Sequence, residues 1–122
     1  MMNSNTGTVA SLIAADKVKD AKVFNRKGEK LGTVDDILID RTSGRAIYAV
    51  LSFGDFLGMN EKHHPMPWAT LAYDTKLGGY VVDIDKKILE AAPNYDSDGN
   101  FEWTAEYGRK VDKYYSAPGY WM

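Results

Sequence analysis

The sequence predicts a small, mainly β domain followed by a short helix and an aromatic tail. Three observations point there. Short runs rich in β-branched and aromatic residues are separated by glycine-bearing turn signals, as at Asn25-Arg26-Lys27-Gly28 and Thr42-Ser43-Gly44. The run from Arg45 to Phe53 is apolar at both parities, as expected of a strand covered on both faces. Near the end, Trp103, Tyr107, Val111 and Tyr114 recur at spacings of four, four and three, an amphipathic helical stripe.

The elements follow in order. Ala21 to Phe24 is a short strand, and Gly28 supplies the positive φ its hairpin turn needs. Lys30 to Arg41 is a longer strand, with Leu31, Ile37 and Ile39 on one parity and Val34 and Leu38 on the other. In the third strand Ile47, Ala49, Leu51 and Phe53 share one face and Ala46, Tyr48 and Val50 the other, so a helix, a terminus or another subunit must cover the outside. Gly54 to Lys62 is a loop. His63 to Trp68 is extended, because Pro65 and Pro67 disfavour helix, and they favour an edge position. Ala69 to Ala72 suits one helical turn, Tyr73 to Gly79 turns the chain, and Tyr80 to Ile84 is a last strand. Asp85 is placed to cap a helix from Lys86 to Ala91, stopped by Pro93. After a polar loop, Asn94 to Asn100, the stripe predicts a helix from Phe101 or Glu102 to Tyr115; Gly108 weakens it.

Bulk properties exclude several functions. A chain of 122 residues suits one core. A net charge of −2 gives no broad reason to bind nucleic acid or anionic lipid. Without cysteine there is no disulfide, zinc-thiolate site, iron–sulfur cluster or thiol catalysis. No apolar run nears the roughly 20 residues that span a bilayer. Residues 1–13 are expected to form a flexible arm without a basic signal-peptide start, in a cytoplasmic protein.

The segment Val23-Phe24-Asn25-Arg26-Lys27-Gly28-Glu29-Lys30-Leu31-Gly32-Thr33-Val34 resembles the opening hairpin of PRC-barrel domains. Asp36 to Asp40, Ser43-Gly44-Arg45, Tyr48 to Gly54, Phe56-Leu57-Gly58, Glu61-Lys62 and Pro67 to Leu71 continue the resemblance in order, over about Ala14 to Leu89. It implies a compact six-stranded antiparallel β-barrel, here residues 14–92. Residues 93–122 then form an acidic loop, helix and aromatic tail packed on the barrel or on a neighbouring subunit. The family is named for the cytoplasmic domain of the photosynthetic reaction-centre H subunit and includes the C-terminal domain of a ribosome maturation factor. The resemblance implies docking to larger assemblies; no cofactor is expected. The C-terminal part, with Tyr107-Gly108, Val111, Tyr114-Tyr115 and Pro118-Gly119-Tyr120-Trp121, resembles stand-alone bacterial members of the family.

The candidate sites are few. His63 and His64 are adjacent, so on a strand they point to opposite faces and cannot easily share a metal; Glu61 and His63 share a parity. A polar strand or a pH-sensitive interface are the other readings of the pair. Asn94, Asp96, Asp98, Asn100 and Glu102 imitate the first part of a calcium loop, but Ala105 stands where a bidentate Glu is needed. An Asx-rich turn fits as well. Asp35, Asp36 and Asp40 read as a solvated strand face, with no His or Lys partner implied. Ser43, Ser52 and Gly78-Gly79 lack the context of a nucleophile or phosphate loop.

Trp103, Tyr107, Tyr114, Tyr115, Tyr120 and Trp121 are more aromatic surface than one short helix can bury. They either fold back over the outer strand face or cover a neighbouring subunit. The expected function is therefore a non-enzymatic protein-binding or assembly module, a homo-oligomer with an unknown protein partner. Its expected contacts are Phe53, Phe56, Leu57, Trp68, Tyr120 and Trp121. A small-ligand or calcium-binding module at residues 94–102 is the alternative. A ribosome or RNA-processing accessory protein is another, by family analogy. Nucleic-acid binding is not expected, because residues 94–107 carry acids and no Lys or Arg.

Overall fold

The computed structural model describes residues 12–53, 62–96 and 101–121. The chain runs α1 (Ala15–Val18), β1 (Lys22–Asn25), β2 (Lys30–Ile39), β3 (Ala46–Phe53), β4 (Lys62–Pro67), a 3₁₀ turn (Trp68–Thr70), β5 (Ala72–Asp74), β6 (Gly79–Val82), α2 (Lys86–Glu90), β7 (Tyr95–Asp96) and α3 (Ala105–Tyr114). The strands form one seven-stranded sheet in the order β5-β6-β1-β2-β3-β4-β7.

This corrects the six-stranded, closed and wholly antiparallel barrel. The β5–β6 hairpin returns beside β1, and β6 runs parallel to it, Val23 opposite Tyr80 and Asn25 opposite Val82. The sheet is not closed, because β5 and β7 end it as edges. β7 pairs only Lys62 and His63 of β4, and stops before Pro65, which has no N–H to offer a ladder. Pro65 and Pro67 thus lie where β4 has no partner beyond β3, the edge position their missing N–H favours, and only Lys62 and His63 are covered by β7.

The turns form as their residues dictate. The Asn25 side chain accepts from the N–H groups of Lys27 and Glu29, and Gly28 sits at φ 85°. Asp40 accepts from the N–H groups of Thr42 and Ser43, ahead of Gly44 at φ 77°. The stretch read as a turn from Tyr73 includes most of β5. Asp85 begins α2 without a side-chain cap bond.

Val23, Leu31, Val34, Ala49, Leu51, Met66, Tyr80 and Val82 form the inner core with Val18 and Leu89. Leu31 and Val34 have opposite parity yet both face inward. Register shifts where β2 pairs with β1 and again between Val34 and Asp36 re-phase the strand. β3 is buried on both faces as its composition requires: Ala49 and Leu51 join the inner core, while Tyr48 and Val50 are buried on the other side.

The helix α3 begins at Ala105, later than the aromatic stripe suggests. Thr104 is its N-cap, its side-chain oxygen accepting from the Tyr107 N–H at 3.0 Å. Trp103 therefore precedes the helix. Thr104→Ala is expected to lower stability by about 1 kcal/mol, measured as a shifted urea midpoint at unchanged slope.

Candidate functional site

The outer sheet face is covered by the chain's own C-terminal segment. Tyr48 projects from β3 into that cover, and its ring meets Trp103 at 5.0 Å between centroids. The Tyr48 hydroxyl donates to Asp112 Oδ1 of α3 at 2.8 Å, with the Gly108 carbonyl a second acceptor at 3.3 Å. It accepts from the indole N–H of Trp121 at 2.7 Å. The other Asp112 oxygen accepts from the Tyr120 N–H at 3.3 Å. Tyr48 and Asp112 are both buried. Burial, and then the bond to Asp112, push the Tyr48 phenol above its ordinary pKa, so it stays a donor.

Gly108 decides how close the tail can come. A Cβ there would lie 1.9 Å from Trp121 Nε1 and 2.4 Å from its Cε2, so the indole rests on bare helix backbone. Beyond it, the Tyr120 hydroxyl donates to Asp40 in the β2–β3 turn. That bond, followed by the Ser43 and Thr42 amides, lowers the Asp40 carboxyl to about 2.

A ladder of rings extends the cover to the far edge. Trp103 meets Tyr107, Tyr107 meets Phe101, and Phe101 stacks on Tyr95 at 4.0 Å. Tyr95 stacks in turn on His63 at 5.4 Å. Burial pushes the Tyr107 phenol up to about 12. Between the tail and the end of β2 an open groove remains, with a cavity volume of about 370 Å³. Its apolar lining comes from Leu38, Ile39, Ile47, Trp103 and Trp121, with Asp40 and Arg41 at one side. Ile39 is 53% exposed and Tyr120 37%.

Of the expected contact residues, Tyr120 and Trp121 meet here. Trp68 packs against the inner core instead, edge-on to Tyr80 at 5.5 Å. Phe53 ends β3 opposite Lys62. Phe56, Leu57, Glu61, Asp98 and Asn100 lie outside the described residues. In the calcium-loop candidate, Asp96 forms an ion pair with Lys62, the Asn94 amide donates to the Ala92 carbonyl, and Glu102 is exposed. Among the described residues no cluster of three acidic or imidazole ligands could hold a metal. None of their helices is long and apolar enough to cross a membrane.

His63 and His64 take opposite faces, as adjacent strand residues must. His63 reaches Asp35 of β2 at 3.4 Å, a partner that strand order supplies and sequence order hides. His64 is buried, and burial, followed by the nearby His63 and Lys62, lowers it to about 4. Sequence reasoning missed Gly108 and Asp112 as parts of the site. Their spacing of four on one helix face, beside Val111, was the available signal.

The PRC-barrel domain family model matches residues 10–89. No curated protein sequence matches the chain. Among solved structures, a 16S ribosomal RNA processing protein, RimM, from Pseudomonas aeruginosa is similar at 17% identity and a TM-score of 0.40. The overlap covers 66% of this chain and 49% of that one, so the match spans about half the length of that protein. An overlap at this level carries no functional argument.

Proposed function

The chain belongs to the PRC-barrel domain family, and from that premise we propose that it is a non-enzymatic assembly module that binds a second copy of itself through the groove between Ile39 and Tyr120. The observation that supports this is the groove itself. A partly exposed isoleucine and tyrosine border an apolar hollow backed by two tryptophans. Contiguous apolar surface with aromatic anchors is the composition of protein contacts.

Ile39→Glu tests the proposal, because the side chain is exposed enough to change without disturbing the core. Light scattering on a size-exclusion column is expected to show a self-associating wild type. The variant, still folded, should associate at least about tenfold more weakly, since a charge would replace apolar surface that the association buries. Equal masses for the two chains at every concentration would remove the groove as the contact. A ribosome-associated role, carried by family analogy alone, would instead give co-sedimentation with small ribosomal subunits that Ile39→Glu reduces.

A further inference from the structure

We infer that the notch over Gly108 is an acceptor site for Trp121 of a second copy, so that two copies associate by trading their 117–121 segments. This rests on the assembly reading above and names its contact.

The notch is built for an extended aromatic pair. Its floor is the helix backbone at Gly108, where any side chain would collide with the indole. Its polar wall is one hydrogen-bonded unit. The buried Tyr48 hydroxyl takes an indole N–H, and the buried Asp112 takes the backbone N–H of the preceding residue. The occupant that satisfies both is the Tyr120-Trp121 pair of this chain, so a second copy carries a ligand already matched to the site.

The tether between notch and tail favours release. Ser116 sits at φ 53°, a left-handed conformation that serine rarely adopts, and Pro118 and Gly119 follow. Residues 117–121 make no strand pairing among the described residues; the Ala117 N–H bond to the Asp112 carbonyl closes the helix end. Opening the tether beyond Ala117 thus breaks no ladder and leaves the helix cap at Ser116 in place, with Pro118 and Gly119 as the hinge. The hydrogen bonds and ring packing that a tail gives up in its own chain are restored in the other, giving a self-complementary pair. The balance between closed and exchanged forms is then set by the tether and by concentration, against an effective concentration of the attached tail in the millimolar range.

Two full-length variants test this by complementation. Gly108→Ala closes the notch and keeps the tail; Trp121→Ala keeps the notch and removes its occupant. With 5-fluorotryptophan in the Gly108→Ala chain alone, the Trp121 fluorine resonance reports whether the ring is seated. Adding unlabelled Trp121→Ala chain, at about 0.1 to 1 mM, is expected to move that resonance to its wild-type position. The scattering mass of the mixture should also rise above that of either variant. Tyr48→Phe in the acceptor chain should weaken the transfer. A resonance that stays at its unseated position throughout, with both variants folded, overturns the exchange. Should Gly108→Ala not fold, the same question is put to wild type mixed from isotope-labelled and unlabelled chains. Exchange predicts contacts between Trp121 of one chain and Tyr48 of the other in filtered NOE spectra. A wild type that associates through Ile39 but shows only intrachain contacts overturns the exchange and leaves the assembly reading standing. A wild type that is monomeric at every concentration overturns both.

Discussion

Replacing Gly108 with alanine is expected to destabilise the protein by about 2 kcal/mol, although the same change in a lone helix would stabilise it by up to about 1 kcal/mol. The two contributions have separate origins. Alanine improves the local preference of α3. It also places a methyl group 1.9 Å from the Trp121 indole nitrogen, inside a ring that cannot remain where it is. Unseating that ring loses roughly 1.5 to 2 kcal/mol of apolar burial and about 1 kcal/mol for its bond to Tyr48. Asp112 loses the Tyr120 N–H as well. The loss exceeds the helical gain. At this chain length about 2 kcal/mol corresponds to a melting temperature lower by roughly 8 °C. The mechanism is checked by a double-mutant cycle rather than by one number. In a Trp121→Ala background nothing occupies the notch, so Gly108→Ala should turn from destabilising to stabilising. A substitution that costs the same in both backgrounds would show that the tail is not seated on the helix.

That reversal also explains what the sequence could and could not reveal. Turns were legible because their chemistry is local. Asn25 to Gly28 and Asp40 to Gly44 hold their geometry within five residues. The two-faced burial of β3 was legible because a strand apolar at both parities has no wet side. The parallel pairing of β1 with β6 was not, since it joins Val23 to Tyr80 across most of the sheet's sequence. Gly108 was read as a weakness in a helix because the reason for it, Trp121, contacts it only after the chain has turned back. Asp112 was passed over for the same cause: its partner Tyr48 lies 64 positions away. Trp103 belonged to the helical period and still fell outside the helix, because Thr104 offered the cap. Asp35 was assigned no His or Lys partner, and strand order placed His63 3.4 Å from it. Apart from the Thr104 cap, which is local, each miss was a long-range contact or a local preference overridden by one.

Acidification from pH 7 to pH 4 is expected to cost about 2 to 3 kcal/mol of stability through His64. The side chain is buried on the inner side of β4, and a charge there would be desolvated beside His63 and Lys62. A hydrogen bond to the Leu89 backbone opposes this only in part, and the folded-state pKa falls from 6.5 to about 4. Between those values the unfolded chain binds the proton and the folded chain does not. Stability is therefore whole above pH 6.5, declines as pH falls through the window, and loses nothing more from this residue below about 4. The tail clasp titrates elsewhere. Asp40, held at about 2 by Tyr120 and the turn amides, weakens only as pH falls from 3.8 toward that value. The two acid effects thus separate on the pH axis. Urea unfolding at pH 7, 5.5 and 4 should show falling midpoints, while the 5-fluorotryptophan resonance of Trp121 in the folded protein stays constant. His64→Gln removes the titrating group and retains an amide that can bond to the Leu89 backbone. It should flatten the dependence between pH 6.5 and 4, whatever it costs at pH 7. An unchanged slope in that variant would assign the acid sensitivity to other groups and make His64 an ordinary core side chain.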